Sequence, residues 1–446
     1  MAQTIEGYVG AAMDDARLSP IHYRVFALIA AGYFFDVSNF IVLGALVPNM
    51  IHSNFLTAGQ VATVASAQTF GLFVGTVGQG EFTDRFGRKA VYQFNLLLFG
   101  VATVLSAFTP NYAWLALLRF IAGIGLGAEQ PLCFAYAGEY APKRIRGRVL
   151  AGIQLIGGAL VWPLSTLFAL YALGPIGWRG IWIVLGIGAL IVFVLRFSLP
   201  ESPRWLATHG QGERALGLLE RMGLPRPAPG VALSHDAASD THRDPFAVVF
   251  RDYRGRVLAG MFCFVAFFGV AIGLGVWLPN IMARSGMTIT KSLTYTLIIQ
   301  LAFPCASLFM MFALERFGRK PVSVIAFLLA GLFAAAFANA TSATMLLIVG
   351  FWMMFFIQLA GNSAQIFASE VFPTNARASG FGVAAGTGRL ATAFIIPAIL
   401  WIENGYGVGA VFGCVAVLLV IAAWTVTLLG PEARGLSLDV IAPPTG

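Results

Sequence analysis

Charge is what this chain has least of. Asp, Glu, Lys and Arg make up 11% of its 446 residues against 58% hydrophobic residues, and the mean hydropathy is +0.80. That leaves too little polar surface to cover a water-soluble globule of this length, so an integral membrane protein is expected. Cysteine is scarce as well. Cys133, Cys263, Cys305 and Cys414 stand singly, without CxxC or CxxxC spacing. No disulfide framework or metal site is implied, and they read as small buried hydrophobes. A Walker motif and a catalytic triad are both missing, so neither ATP-driven transport nor enzymatic turnover has a site; no cofactor is expected beyond a proton gradient as energy source. The first twenty residues are polar and carry no signal peptide, so the first apolar run is expected to act as the insertion signal. The formal charge of +8 is held in short loops between apolar runs rather than along one solvated face, which excludes nucleic acid as a partner.

What is present is a succession of twelve apolar runs, at 24–48, 61–80, 90–108, 112–137, 148–170, 178–199, 256–283, 291–314, 321–339, 343–367, 379–401 and 407–429. Each has about the twenty residues that a helix needs to cross ~30 Å of hydrocarbon. The expected fold is therefore all-α: twelve transmembrane helices in two pseudo-symmetric six-helix bundles, 1–199 and 256–446, joined by the polar linker 200–255. Of the 28 Lys and Arg, Arg119 and Arg389 fall inside apolar runs, and Arg179, Arg284 and Lys291 fall in loops on one side. The rest lie on the other side. By the positive-inside rule that side is the cytoplasm and holds both termini, in a multi-pass protein of the cell inner membrane.

An internal repeat supports the division. Asp84-Arg85-Phe86-Gly87-Arg88-Lys89 recurs as Glu315-Arg316-Phe317-Gly318-Arg319-Lys320, and the same offset of 231 relates Glu139 to Glu370, Pro142 to Pro373 and Arg146 to Arg377. One register held across two separate polar loops is not an accident of greasy composition. Two homologous halves joined by a linker are the architecture of a secondary transporter with its site near the midplane. Gly87 permits a tight reversal, and Asp84 sits where it can pair with arginines at neighbouring helix ends. Glu139 and Arg146 flank the turn between the fourth and fifth runs and can close a second cluster. A cytoplasmic gate built from Asp84, Arg85, Gly87, Arg88, Glu139, Arg146, Glu315, Arg316, Arg319, Glu370 and Arg377 is expected, its ion pairs holding the bundles together when the cavity faces outward. The alternative is that these charges only determine topology.

GEFTDRFGRK at 80–89 and its copy ERFGRK at 315–320 resemble the paired loop signatures of the major facilitator superfamily. RFIAGIGLG at 119–127, PESPRWL at 200–206 and PEARGLSLDVI at 431–441 resemble its sugar-porter-like branch. Within that branch, GIGLGAEQPL at 123–132, VWLPNIM at 276–282 and SEVFPTNARASGFGVAAGTGR at 369–389 look like the bacterial niacin and organic-ion permeases. The resemblance covers essentially the whole chain in the expected order.

Charges inside the apolar runs carry the chemistry. Asp36 lies near mid-depth in the first run, where a bare carboxylate is costly unless protonated, paired or facing a wet cavity. Asn39 shares its face. Arg119 and Glu129, ten residues apart in the fourth run, are roughly 80° apart around a helix. That arrangement presents a cation toward the first helix and an acid toward the cavity. Burial opposes ionisation of a carboxyl and a nearby guanidinium favours it, so an Asp whose contact with arginine is made and broken can load and release a proton. The resemblance implies such a pair for Asp36 and Arg119, with Glu129 as a second protonatable group; a packing salt bridge is the alternative. Arg389 has no acid beside it and suits a carboxylate held by two hydrogen bonds, a role the resemblance also implies. Gln358, Asn362 and Gln365 share one helical face, and Gln154, Trp162, Trp277 and Gln300 are further candidates for contact with a flat ring. Interhelical hydrogen bonding is the alternative for each.

Departures from the family patterns bear on cargo. Sugar porters place glutamines and an Asn in the seventh helix, and CFVAFFGVAIGLG at 263–275 has none. Niacin permeases tend to carry a second acid in the first helix, where this chain has Asn39. The expectation is a monomeric, proton-coupled symporter importing a small organic acid such as nicotinate, with protons, substrate and the lipid bilayer as its partners. A sugar, polyol or organic-cation symporter and an efflux antiporter are the alternatives.

Overall fold

Backbone N–H and C=O groups find no water inside a bilayer, so apolar runs of this length must satisfy them internally as helices. The computed structural model describes residues 4–227, 251, 254–284, 286–340, 342–370 and 377–429; the side chains of 79–81, 84, 85, 311, 312, 314, 315, 319, 366–370 and 377–379 lie outside that description. No β-strand occurs among the described residues.

The first half comprises α1 (Ile5–Asp14), α2 (Pro20–His52), α3 (Ala58–Phe86), α4 (Arg88–Ser106), α5 (Tyr112–Tyr140), α6 (Arg146–Ile153), a π-helical stretch (Gln154–Leu160) and α7 (Val161–Leu195). Helices α8 (Pro203–Thr208) and α9 (Gly212–Arg221) follow. The second half comprises α10 (Arg254–Arg284), α11 (Ile289–Gln300), α12 (Ala302–Phe317), α13 (Arg319–Ala338), α14 (Ala343–Glu370) and α15 (Arg377–Leu429). Among the described residues, ten helical stretches are long and apolar enough to span a membrane. They contain the twelve runs, because two of them are bent double runs: Arg146–Ser198 breaks at Gly177 and α15 at Gly407, both at positive φ. The eighth run is divided instead. Pro304, in the first turn of α12, has no N–H to donate to Gln300, so α11 stops and α12 begins afresh.

Local signals explain the ends. Thr57 and Gln60 cap α3 reciprocally, the Gln60 N–H donating to Thr57 Oγ1 at 3.3 Å and the Thr57 N–H to Gln60 Oε1 at 2.9 Å. Gly87, at φ +90°, ends α3 and starts α4, and Gly318, at φ +84°, does the same between α12 and α13. The repeated loop is thus the same one-residue reversal in both halves.

One segment adds to the expected fold, and one expectation needs correction. The polar N-terminal segment is helical, and its apolar face of Ile5, Val9 and Met13 is buried against Leu206, Ala215 and Leu219 of α8 and α9. Cys133 and Cys263 are buried as expected, but Cys305 and Cys414 are on the outer surface. Between the halves, α3 packs on α15, α2 on α10 and α7 on α11.

Candidate functional site

A cavity of about 700 Å³, its open mouth included, lies between the two halves. Its polar lining is Tyr33, Asp36, Gln130, Gln154, Gln358 and Arg389, with Gln365 beside them. Phe40, Trp162, Phe267 and Phe268 supply flat apolar walls. Trp162 is held by stacking on Phe303, with ring centroids 4.5 Å apart and planes 12° apart.

Arg389 projects from α15 into this cavity and is 4% exposed. All its hydrogen bonds to the described residues cross to the first half. Nη1 donates to Thr76 Oγ1 of α3 and, at 2.8 Å, to Gly127 O of α5; Nη2 donates to Gln130 Oε1 at 2.6 Å. The guanidinium carbon also lies 5.6 Å from the Phe268 ring centroid. None of these partners is an acid. Gly127 can accept because Pro131, four residues on inside α5, has no N–H to give it. A proline in the fourth span therefore frees a carbonyl, and an arginine from the other half takes it.

Asp36 is 6% exposed, lines the same cavity, and makes no hydrogen bond or ion pair among the described residues. Around it runs a neutral chain: the Gln130 amide donates to Tyr33 Oη at 3.0 Å, and Tyr33 donates to Gln154 Oε1 at 3.3 Å. Gln154 begins the π-helical stretch, a local unwinding that recurs at functional sites.

Arg119 does not pair with Asp36. It donates to Asn39 Oδ1 at 2.8 Å, Ser106 Oγ at 2.7 Å and Thr103 Oγ1 at 3.2 Å, and lies over Trp182 at 4.3 Å. Asn39 in turn donates to Thr103 at 2.6 Å, so it is consumed by this cluster rather than offered to the cavity. Asp36 and Asn39 are three residues apart, and it is the amide that meets the arginine. Glu129 is likewise not a cavity acid. Its Oε1 accepts from Arg196 Nη2 at 2.7 Å, and both side chains are 0% exposed. Arg196 further donates to Leu28 O and lies 3.7 Å from the Tyr92 ring centroid. The backbone of α2 approaches at Gly32, where any Cβ would overlap the Arg196 guanidinium. By sequence Arg196 belonged with the basic side; in the fold it is sealed among helices.

The remaining candidates divide. Gln154, Trp162, Gln358 and Gln365 face the cavity together with Asp36 and Arg389. Trp277 is fully buried and donates to Ile396 O at 3.0 Å, and Gln300 accepts from Thr166 at 2.6 Å across the α7–α11 contact. Asn362 bonds Gln358 at 3.1 Å and Ser307 at 3.2 Å, which makes it the support of the α14 stripe. Sequence reasoning missed Tyr33, Gln130, Thr76 and Phe268. Tyr33 one turn before Asp36, and Gln130 just before a helix-interior proline, were the available signals.

At the basic end, the described ion pairs stay within the first half and its linker. Arg88 Nε meets Glu139 at 3.3 Å, while Arg146 and Arg204 (2.7 Å) both meet Asp14 of α1. Glu139 and Arg146 therefore belong to two separate clusters instead of one. Burial opposes the charge on Asp14, but the two guanidiniums outweigh it and hold its carboxyl below the usual range. Glu201 accepts the Lys89 N–H at 3.2 Å next to Gly87, and burial pushes its carboxyl up. Arg316 is exposed at the end of α12. The side chains of Asp84, Arg85, Glu315, Arg319, Glu370 and Arg377 lie outside the described set.

The fold is similar to that of the xylose transporter XylE from E. coli in its inward-open conformation, at a TM-score of 0.76 and 19% identity, covering 94% of this chain and 99% of that one. In sequence the chain is 28% identical to the inner membrane metabolite transport protein YdjE of Escherichia coli, over 97% of this chain and 98% of the relative. It is 27% identical to the niacin transporter NiaP of Acinetobacter baylyi (96% and 98%) and 27% identical to the 4-hydroxybenzoate transporter PcaK of the same organism (86% and 85%). The family model described as sugar (and other) transporter matches residues 26–443. With that match over nearly its whole length, the chain belongs to the sugar (and other) transporter family, with the major facilitator fold: it is a transporter and not an enzyme.

Proposed function

We propose that this protein is a proton-coupled symporter of the inner membrane that imports a small aromatic carboxylate of the nicotinate or benzoate type. The observation that carries the reading is Arg389: a guanidinium withdrawn from water, on the wall of a cavity between the halves, bonded only to neutral acceptors. No acid among the described residues is hydrogen-bonded to this cation, and a planar carboxylate matches its fork. Phe267, Phe268 and Trp162 offer faces to a ring, and Gln358 and Gln365 offer amides to its polar edge. Two relatives are named for aromatic acids, niacin and 4-hydroxybenzoate.

The proton is assigned to Asp36. It shares the cavity with Arg389 and has no partner of its own, so an entering carboxylate would bring a second negative charge into the same space. Protonation of Asp36 removes that repulsion, and proton and anion bind as a neutral sum. Arg119 takes no part, being satisfied by Asn39, Thr103 and Ser106. The basic end faces the cytoplasm with both termini, and the chain acts as a monomer with no cofactor.

The test is uptake into proteoliposomes with an imposed inward proton gradient, comparing labelled nicotinate and benzoate with sugars and organic cations. Gradient-driven accumulation of the carboxylates alone is expected. Uptake of sugars with no uptake of carboxylates would sink the reading.

A further inference from the structure

Resting on the carboxylate reading, we propose that Arg389 is also the latch between the two halves, and that the cargo carboxylate releases it by taking over the hydrogen bonds that Thr76 and the Gly127 carbonyl hold in its absence. Every hydrogen bond that Arg389 makes to a described residue goes to the other half: α3 through Thr76, and α5 through Gly127 and Gln130. The grip falls where α3 packs on α15. It also has a built receptor. Pro131 removes the N–H that would otherwise occupy Gly127 O, and Thr76 Oγ1, which accepts from Arg389, has its one hydrogen within reach of Leu72 O at 2.7 Å and of Gly127 O at 3.0 Å. An orphaned carbonyl inside a helix is costly unless a donor is supplied, and here the shorter of its two donor contacts comes from the opposite half, through Arg389 at 2.8 Å.

The consequence is an exchange. A guanidinium has five N–H donors in one plane; both on Nη1 are held by Thr76 and Gly127 and one on Nη2 by Gln130, so a carboxylate that takes the Nη1–Nη2 edge displaces acceptors already there. Cargo binding and separation of α3 from α15 then become one event, because the side chain that recognises the anion is the side chain that joins the halves. The empty protein favours the latched arrangement, and part of the cargo's affinity is spent on unlatching. Gln130 sits between the two functions: it accepts from Arg389 and passes its amide to Tyr33, one turn from Asp36. Release of Arg389 is therefore felt at the helix that carries the proton acid.

The experiment uses the full chain in nanodiscs with spin labels at Phe82 on α3 and Gly382 on α15, and pulsed distance measurement with and without benzoate. In Thr76→Val, and more strongly in Thr76→Val with Pro131→Ala, Arg389 is intact but its receptor is weakened, with the bond to Gln130 left in place. The ligand-free distance distribution should shift toward the one that benzoate produces in the wild type, and benzoate should bind about threefold to tenfold tighter because the competing state is less populated. Thr76→Val alone keeps every backbone bond of α5 and guards against a folding defect in the double variant. Ligand-free distributions identical to the wild type in both variants would overturn the latch. Benzoate that binds the wild type without moving the labels would overturn the exchange. Wild-type protein that binds neither benzoate nor nicotinate would sink the carboxylate reading and the exchange with it, while the ligand-free comparison would still decide whether Arg389 joins the halves.

Discussion

Arg196 and Arg389 are both arginines withdrawn from water, and the difference between their surroundings separates scaffold from site. Arg196 has an acid, Glu129, at 2.7 Å, an aromatic face on Tyr92, and a notch in α2 at Gly32 shaped for it. Its charge is cancelled where it stands, and neither member of the pair lines the cavity. Arg389 has neutral hydrogen-bond partners from the other half and opens on the cavity between the halves. A buried ion pair is closed to newcomers; a buried cation held by neutral dipoles is available to an anion. Arg119 falls between the two, being satisfied by neutral groups but with no cavity beside it.

This comparison can be broken by experiment, and the largest effect is expected at the closed pair. Glu129→Ala leaves the Arg196 charge buried and alone, which should cost about 3–5 kcal/mol and show as a large fall in melting temperature in detergent. If Glu129→Ala melted like the wild type, the scaffold role would be lost. Next is Arg389→Ala. Removing hydrogen bonds to a charged group costs about 1.5–3 kcal/mol, so carboxylate affinity should fall roughly 10- to 100-fold, read by scintillation proximity, while the melting temperature changes far less than in Glu129→Ala. Equal thermal loss in both variants would erase the distinction between the two arginines.

Asp36→Asn sharpens the open side. Each pH unit of gradient is worth about 1.4 kcal/mol per coupled proton, and this variant should forfeit it: accumulation collapses to equilibration while carboxylate exchange across the membrane persists. Accumulation at the wild-type ratio would move the proton elsewhere. The smallest effect belongs to Asp14, far from the cavity, where Arg146 and Arg204 depress the carboxyl. A depressed acid stabilises above its ordinary value and loses that contribution as pH falls through it. The melting-temperature gap between wild type and Asp14→Asn should thus be present at neutral pH and close below about pH 4, within the ~1 kcal/mol typical of exposed pairs. A gap that widened on acidification would contradict the assignment.

Much of the fold was legible because bilayer crossing is a one-dimensional constraint. Twenty apolar residues must be a helix wherever they sit, and the loop at 84–89 with its copy at 315–320 marked the two halves, each reversing at a glycine with positive φ. The site was legible in part. Asp36, Arg389, Gln154, Trp162, Gln358 and Gln365 were picked out by polarity in greasy runs, and all face the cavity. The same signal also picked Asn39, Glu129, Trp277 and Gln300, which bond to other helices instead. Polarity inside an apolar run says that a partner exists without saying whether it is protein or cargo.

The sequence by itself determined the class of protein, the number of spans, the two-fold repeat and the short set of residues with chemistry to spare, because composition and period act along the chain. Only the tertiary structure decided which arginine is cancelled and which is open. That depends on whether a second helix brings a carboxylate or a carbonyl to the same depth, and helices remote in sequence meet at angles and registers that no local pattern encodes.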